Sequence, residues 1–175
     1  MNRVVPQSIE TEQAILGAIL IYPNSVQACN EYGLLVEHFF LAAHQHIYSI
    51  MMDVYEDNRP VDSKILITKL KDLNLLNTVG GVEYITQLTD TATTPAVLKH
   101  YVEIVIDKFT MRELITAVDL IGNRAFNEPG AVEEIMDDAE RKILNITRSR
   151  RSADFQASKD VVERVLENIK IKSES

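Results

Sequence analysis

Apolar residues recur at helical spacing along nearly the whole chain, and no stretch shows the sustained period-two alternation of a half-buried strand. The pattern predicts an all-α protein. Ser8 stands in an N-cap position before a first helix that has Glu10 and Glu12 in its positive first turn. Ile9, Ile15, Leu16, Ile19 and Leu20 form its buried stripe, and Pro23 with Asn24 ends it. A short second helix carries Val26, Cys29 and Tyr32 up to Gly33. After Phe39 and Phe40 a third runs from about Ala42 to Glu56, with Ile47, Tyr48, Met51, Val54 and Tyr55 inward, until Asn58, Arg59 and Pro60 break it. Asp62 caps a fourth helix bearing Ile65, Leu66, Leu70 and Leu73, and Gly80-Gly81 precedes a fifth with Tyr84, Ile85 and Leu88.

At Thr94-Pro95 the pattern changes. A Thr cap and a Pro at the first helical position open a segment free of further breakers as far as Gly122. Leu98, Tyr101, Val102, Val105, Phe109, Ile115, Val118 and Ile121 sustain one apolar stripe over about thirty residues, roughly twice an ordinary globular helix. After the turn at 126–130 a second long helix carries Val132, Ile135, Met136, Ala139, Ile143, Leu144 and Ile146. Two such helices joined by a short turn are expected to lie antiparallel. At about 45 Å the hairpin is too long for a five-helix globule to cover, which predicts self-association through its apolar side. Residues 147–157 hold Arg148, Arg150, Arg151 and serines without an apolar period, and read as a linker. Ser158 then caps a last amphipathic helix with Val161, Val162, Val165, Leu166 and Ile169 on one face, a helix that needs a surface to dock on. The expected organisation is a five-to-six-helix globular head at 1–94, a helical hairpin at 95–147, a linker at 148–157 and a linker helix at 158–175.

Composition narrows the function classes. With 46% hydrophobic and 25% charged residues and few Gly and Pro, the 175-residue chain is expected to fold as one domain with an appendage. The single Cys29 excludes an internal disulfide and fits a reducing compartment. Residues 1–7 lack a basic segment followed by an apolar run, and no apolar stretch approaches the length of a bilayer span, so a cytoplasmic, membrane-free protein is expected. The net charge is −8, and only residues 147–175 carry more basic than acidic groups. An acidic body repels a phosphate backbone, which leaves room for little or no direct DNA binding.

Several stretches carry a resemblance in their order and spacing. Pro6-Gln7-Ser8-Ile9-Glu10-Thr11-Glu12-Gln13-Ala14-Ile15-Leu16-Gly17 is followed by Phe39-Phe40, by Ala43-His44-Gln45-His46-Ile47-Tyr48, by Pro60-Val61-Asp62 and by Val79-Gly80-Gly81-Val82-Glu83-Tyr84-Ile85. Together they resemble the N-terminal region of DnaB-type replicative DNA helicases, with Thr11 standing where that family has Ala. The resemblance extends from Pro6 to about Ile169. It implies a collar of a six-subunit ring, hairpins that pair subunits, and a linker helix that docks on the neighbouring subunit through Val162, Val165, Leu166 and Ile169. It also implies docking of the C-terminal helicase-binding domain of primase, with Glu10, Tyr84, Ile115 and Ile121 as candidate contacts, and of a helicase loader.

The phosphate-cradling motif of the family's RecA-like motor needs Gly directly before Lys, a pair that occurs nowhere here. The resemblance therefore implies a non-catalytic chain cut short before its ATPase domain, with ATP and Mg²⁺ belonging to that absent part. A stand-alone helical adaptor, loader or inhibitor that mimics the collar is the alternative. No catalytic or metal-ligating set is read from the sequence. His44 and His46 at i and i+2 diverge on a helix, as do Glu10 and Glu12. The acidic residues 133–140 have the pattern of a solvated face, and Arg148, Arg150 and Arg151 that of a solubilising linker.

Overall fold

A computed structural model describes residues 3–174, with the side chains at 152–158 and 160 outside the description. Among the described residues the chain is entirely helical: α1 (Ile9–Ile21), α2 (Ser25–Glu31), α3 (Ala42–Glu56), α4 (Ser63–Asp72), α5 (Gly81–Asp90), α6 (Leu98–Asn127) and α7 (Val132–Ser173), with 3₁₀ turns at Val36–His38 and Pro95–Val97. The chain divides into two compact units. One comprises Gln7–Ile106, and the other joins the segment up to Pro6 with Asp107 onward.

In the first unit α1 is the central helix, packed on α2, α3 and α5. It is buried on almost every side, because Ala14, Ile15, Leu16, Ala18 and Ile19 leave it little polar surface. Phe39, Tyr48, Met51, Leu66, Leu70, Ile85 and Leu88 close the core around it. The start of α6 belongs here too, since Leu98, Val102 and Val105 are core residues. The division therefore falls inside α6 and not at Thr94, because the apolar stripe of a long helix can serve two environments in succession. Leu73, expected in the buried stripe of α4, is instead its exposed C-cap, since the helix stops one residue short of it.

Local signals account for the helix ends. Asp62 accepts from the Ile65 amide at 2.8 Å and caps α4. Asn58 and Asn74 follow α3 and α4 in the left-handed region, and the amides of Arg59 and Leu75 reach back to the carbonyls of Val54 and Leu70. Ser8 precedes α1, but its hydroxyl pairs with that of Thr11 at 2.6 Å and caps no backbone amide. Thr94 likewise makes no side-chain cap, and Pro95 opens a 3₁₀ turn before α6 begins.

In the second unit α6 from Asp107 and α7 form the antiparallel hairpin that the sequence predicts. Arg124 pairs with Asp138 at 3.3 Å, and Asp107 pairs with Arg150 at 2.9 Å, so the partner on α7 advances as the position on α6 retreats. Arg124 also holds Glu128 in the intervening turn at 2.8 Å. Ala117 and Ile135 are buried in this unit, and the Arg112 guanidinium donates to the Pro6 carbonyl at 2.8 Å.

The linker expected at 148–157 is helical, and α7 continues unbroken through it, so no separate linker helix starts at Ser158. The stretch contains no Gly or Pro, and Arg, Ala and Gln are good helix formers. Lack of an apolar period removes a packing partner without breaking the backbone hydrogen bonds. The side chain of Ser158, expected as a cap, lies outside the described residues.

Gly17 is where α1 and α5 touch through their backbones: a Cβ there would lie 2.0 Å from the Leu88 carbonyl oxygen and 3.0 Å from the Ala92 backbone. Gly17→Ala is expected to destabilise the first unit by about 1–3 kcal/mol through displacement of α5. Urea unfolding followed by circular dichroism measures this, and an unchanged midpoint would show that the helices are not held in this contact.

Candidate interaction surfaces and the buried network beneath them

Glu12 is 1% exposed, an unusual position for a carboxylate. Its place in α1 explains the burial, because it lies one turn before Ile15 and Leu16 on the apolar face. Its Oε2 accepts from the Phe40 amide at 2.8 Å and its Oε1 from the Leu41 amide at 3.5 Å. Those amides lead into α3, whose own N-cap residue Leu41 offers no side-chain acceptor. A carboxylate supplied by another helix therefore closes the positive end of α3. The expectation that Glu12 serves the positive first turn of its own helix is corrected accordingly.

His44 is completely buried and extends this network. Its Nδ1 lies 2.8 Å from Glu12 Oε1, and its Nε2 lies 2.5 Å from the Tyr84 hydroxyl. Gln13 Nε2 donates to the same hydroxyl at 3.2 Å. With the imidazole proton on Nδ1, every group is satisfied: His44 donates to Glu12, Tyr84 donates to His44, and Gln13 donates to Tyr84. The His44 and Tyr84 rings lie within 10° of parallel. Burial, together with the negative charge of Glu12, raises the Tyr84 pKa, so the phenol keeps the proton that this arrangement needs.

The geometry has the parts of an acid–base relay, but both Glu12 and His44 are enclosed, and each of their polar atoms is committed to the protein. It ties α1, α3 and α5 together. Elsewhere in the core, burial raises the Tyr48 phenol and pushes Cys29 up to about 12, so neither is primed for chemistry. Tyr48 donates to the Leu34 carbonyl at 2.9 Å. His46 is exposed while His44 is buried, and no cluster of three metal-ligating side chains occurs among the described residues.

The sequence-derived docking residues occupy different settings. Glu10 is exposed on α1. Tyr84 is half-buried on α5, joined to α1 through Gln13, with its hydroxyl turned into the network. On α6, Ile115 is 48% exposed and Ile121 is half-buried. Met111, Val118, Val132, Met136 and Leu144 are likewise exposed in the hairpin unit, and Phe126 is 88% exposed beside the turn. Val162, Val165, Leu166 and Ile169 are all exposed on the C-terminal half of α7. Monomeric proteins rarely leave so many large apolar side chains in water along one pair of helices.

The order of these features has close counterparts. Residues 4–107 match the family described as DnaB-like helicase N terminal domain. The chain belongs to this family. It is 32% identical over 168 residues to the replicative DNA helicase DnaC of Bacillus subtilis (strain 168), covering 96% of this chain and 37% of that protein. To the replicative DNA helicase DnaB of Geobacillus stearothermophilus it is 33% identical over 170 residues, covering 97% and 37%. The chain thus spans little more than a third of the length of these relatives. The crystal structure of the N-terminal domain of DnaB helicase from Mycobacterium tuberculosis superposes with a TM-score of 0.75 at 29% identity, covering 82% of this chain and 99% of that one. A structure described as a DnaB-like replicative helicase and its interactions with primase gives a TM-score of 0.59 at 28% identity, covering 75% and 31%.

Glu12→Ala is expected to cost about 3 kcal/mol or more, because it leaves His44 and the amides of Phe40 and Leu41 without their acceptor. Glu10→Ala, two residues away on the exposed side, is expected to fall within about 0.5 kcal/mol of the parent. Chemical unfolding of the two variants side by side measures the difference, and equal losses would remove the capping role of Glu12.

Proposed function

We propose that this chain is the non-catalytic N-terminal part of a replicative DNA helicase, serving as an oligomerisation collar and as a docking platform for primase and a helicase loader. The observation that carries this reading is the apolar surface left open along α6 and α7 in the single chain, to which Ile115, Val118, Val132 and Met136 all contribute. A second copy of the same unit is a partner able to cover it. Family membership and the structural counterpart solved with its primase interactions support the reading. The exposed row at Val162, Val165, Leu166 and Ile169 serves as the contact to a neighbouring subunit of a six-membered ring. ATP and Mg²⁺ chemistry is assigned to a motor region outside the matched third of the relatives, so the chain contributes geometry to unwinding and little or no direct DNA contact. Among the described residues no helix is long and apolar enough to cross a membrane, in keeping with work in the cytoplasm.

Sedimentation across a range of concentrations is expected to show reversible self-association that weakens about tenfold or more in Ile115→Asp, a charge placed in an apolar contact. A monomer at all concentrations would overturn the collar reading. For primase docking, Tyr84→Ala is expected to lose binding of the primase C-terminal domain while keeping self-association, and Tyr84→Phe to keep both. Undiminished primase binding by Tyr84→Ala would move the docking site elsewhere.

A further inference from the structure

Glu134, Asp137, Arg141, Leu144, Arg148 and Arg151 succeed one another along α7 at spacings of three, four, three, four and three residues. Such spacing puts all six on one stripe of the helix, about 25 Å long at 1.5 Å per residue. All six are exposed. The charged residues of α7 that turn toward α6 are engaged inside the hairpin: Asp138 with Arg124 and Lys142, and Arg150 with Asp107. Among the described residues no ion pair engages Glu134, Asp137, Arg141, Arg148 or Arg151. The stripe is acidic in its first part and basic in its second, with the exposed Leu144 near the centre.

The order of spacings reads the same from either end. Two such helices laid antiparallel about a two-fold axis between residues 142 and 143 therefore bring Glu134 opposite Arg151, Asp137 opposite Arg148, and Leu144 opposite the aliphatic stem of Arg141. Each of these contacts occurs twice, as an isologous interface requires. A parallel pairing sets acid on acid and base on base. A nucleic-acid strand along the same stripe meets Glu134 and Asp137 as well as the arginines, whereas a second copy complements both halves.

We propose that this stripe of α7 is a register-setting contact between two copies of the chain, holding their hairpins antiparallel. The proposal rests on the self-association reading above and adds to it the orientation, the register and the residues that select them. Exposed ion pairs contribute little singly, so the neighbouring apolar surface supplies affinity while the charges reject wrong registers.

Two single charge reversals test it in the 175-residue chain. Asp137→Arg makes the central part of the stripe wholly basic, and Arg148→Asp leaves acidic groups at both 137 and 148. Each variant alone is expected to self-associate roughly tenfold or more weakly than the parent. An equimolar mixture is expected to regain association to within about threefold of the parent, because each variant then meets the opposite charge. Sedimentation equilibrium reads the affinities, and circular dichroism checks that helicity is unchanged. Parent-like association of either variant alone, or no recovery on mixing, would overturn the antiparallel register and leave the collar reading intact. A monomeric parent chain would overturn the collar reading itself.

Discussion

The first unit is organised around one buried carboxylate. Glu12 is carried into the core by the apolar face of α1, and a charge in that position is tolerable only when its acceptor capacity is filled. The amides that precede α3 and the imidazole of His44 fill it, and Tyr84 on α5 completes the set. The relative positions of α1, α3 and α5 follow from those directional contacts in a way that apolar packing alone would not enforce. Gly17, one turn before the end of α1, adds a steric condition by letting the Leu88 carbonyl approach the helix backbone.

The second unit works on a different principle. Ion pairs join α6 to α7 at Arg124–Asp138 and Asp107–Arg150, and Arg124, which spans from Glu128 to Asp138, holds the Glu128 carboxyl below its usual range; at Asp138 Lys142 contributes most to the same lowering, with Arg124 adding to it. Its outward surface keeps apolar side chains exposed, and among the described residues no ion pair engages Glu134, Asp137, Arg141, Arg148 or Arg151. A helix pair finished on its inner side and unfinished on its outer side is suited to contact with another surface, which is what the proposed collar role requires. The continuity of α7 matters here, because a rigid helix holds Arg148 and Arg151 in line with Glu134 and Asp137, whereas a flexible linker would scatter them.

Much of this architecture was legible from the amino-acid order. Five short helices, two long ones, the turn between them and the Asp62 cap follow from apolar period, breakers and capping residues, all of which act within a few positions of one another. Glu12 and His44 were also visible in principle as polar residues one turn ahead of apolar stripes, at Ile15-Leu16 and at Ile47-Tyr48. Reading them as helix-end charge and isolated histidine missed that they share a site, because 32 residues of chain separate them. The linker at 148–157 was misread for a related reason: an absent apolar period describes what a segment packs against, while its helicity depends on backbone geometry that Arg, Ala and Gln do not disturb.

Local chemistry in the sequence therefore determined that the chain is all-helical, where most helices begin and end, and which side chains form the core. Tertiary structure alone decided that Glu12 caps a helix other than its own, that α6 is shared between two units, and that Ile115 and the outward stripe of α7 remain uncovered. The physical reason is range. Capping, turn formation and helical period act over three or four residues, whereas satisfaction of a buried charge and exposure of an apolar face depend on groups brought together from distant parts of the chain.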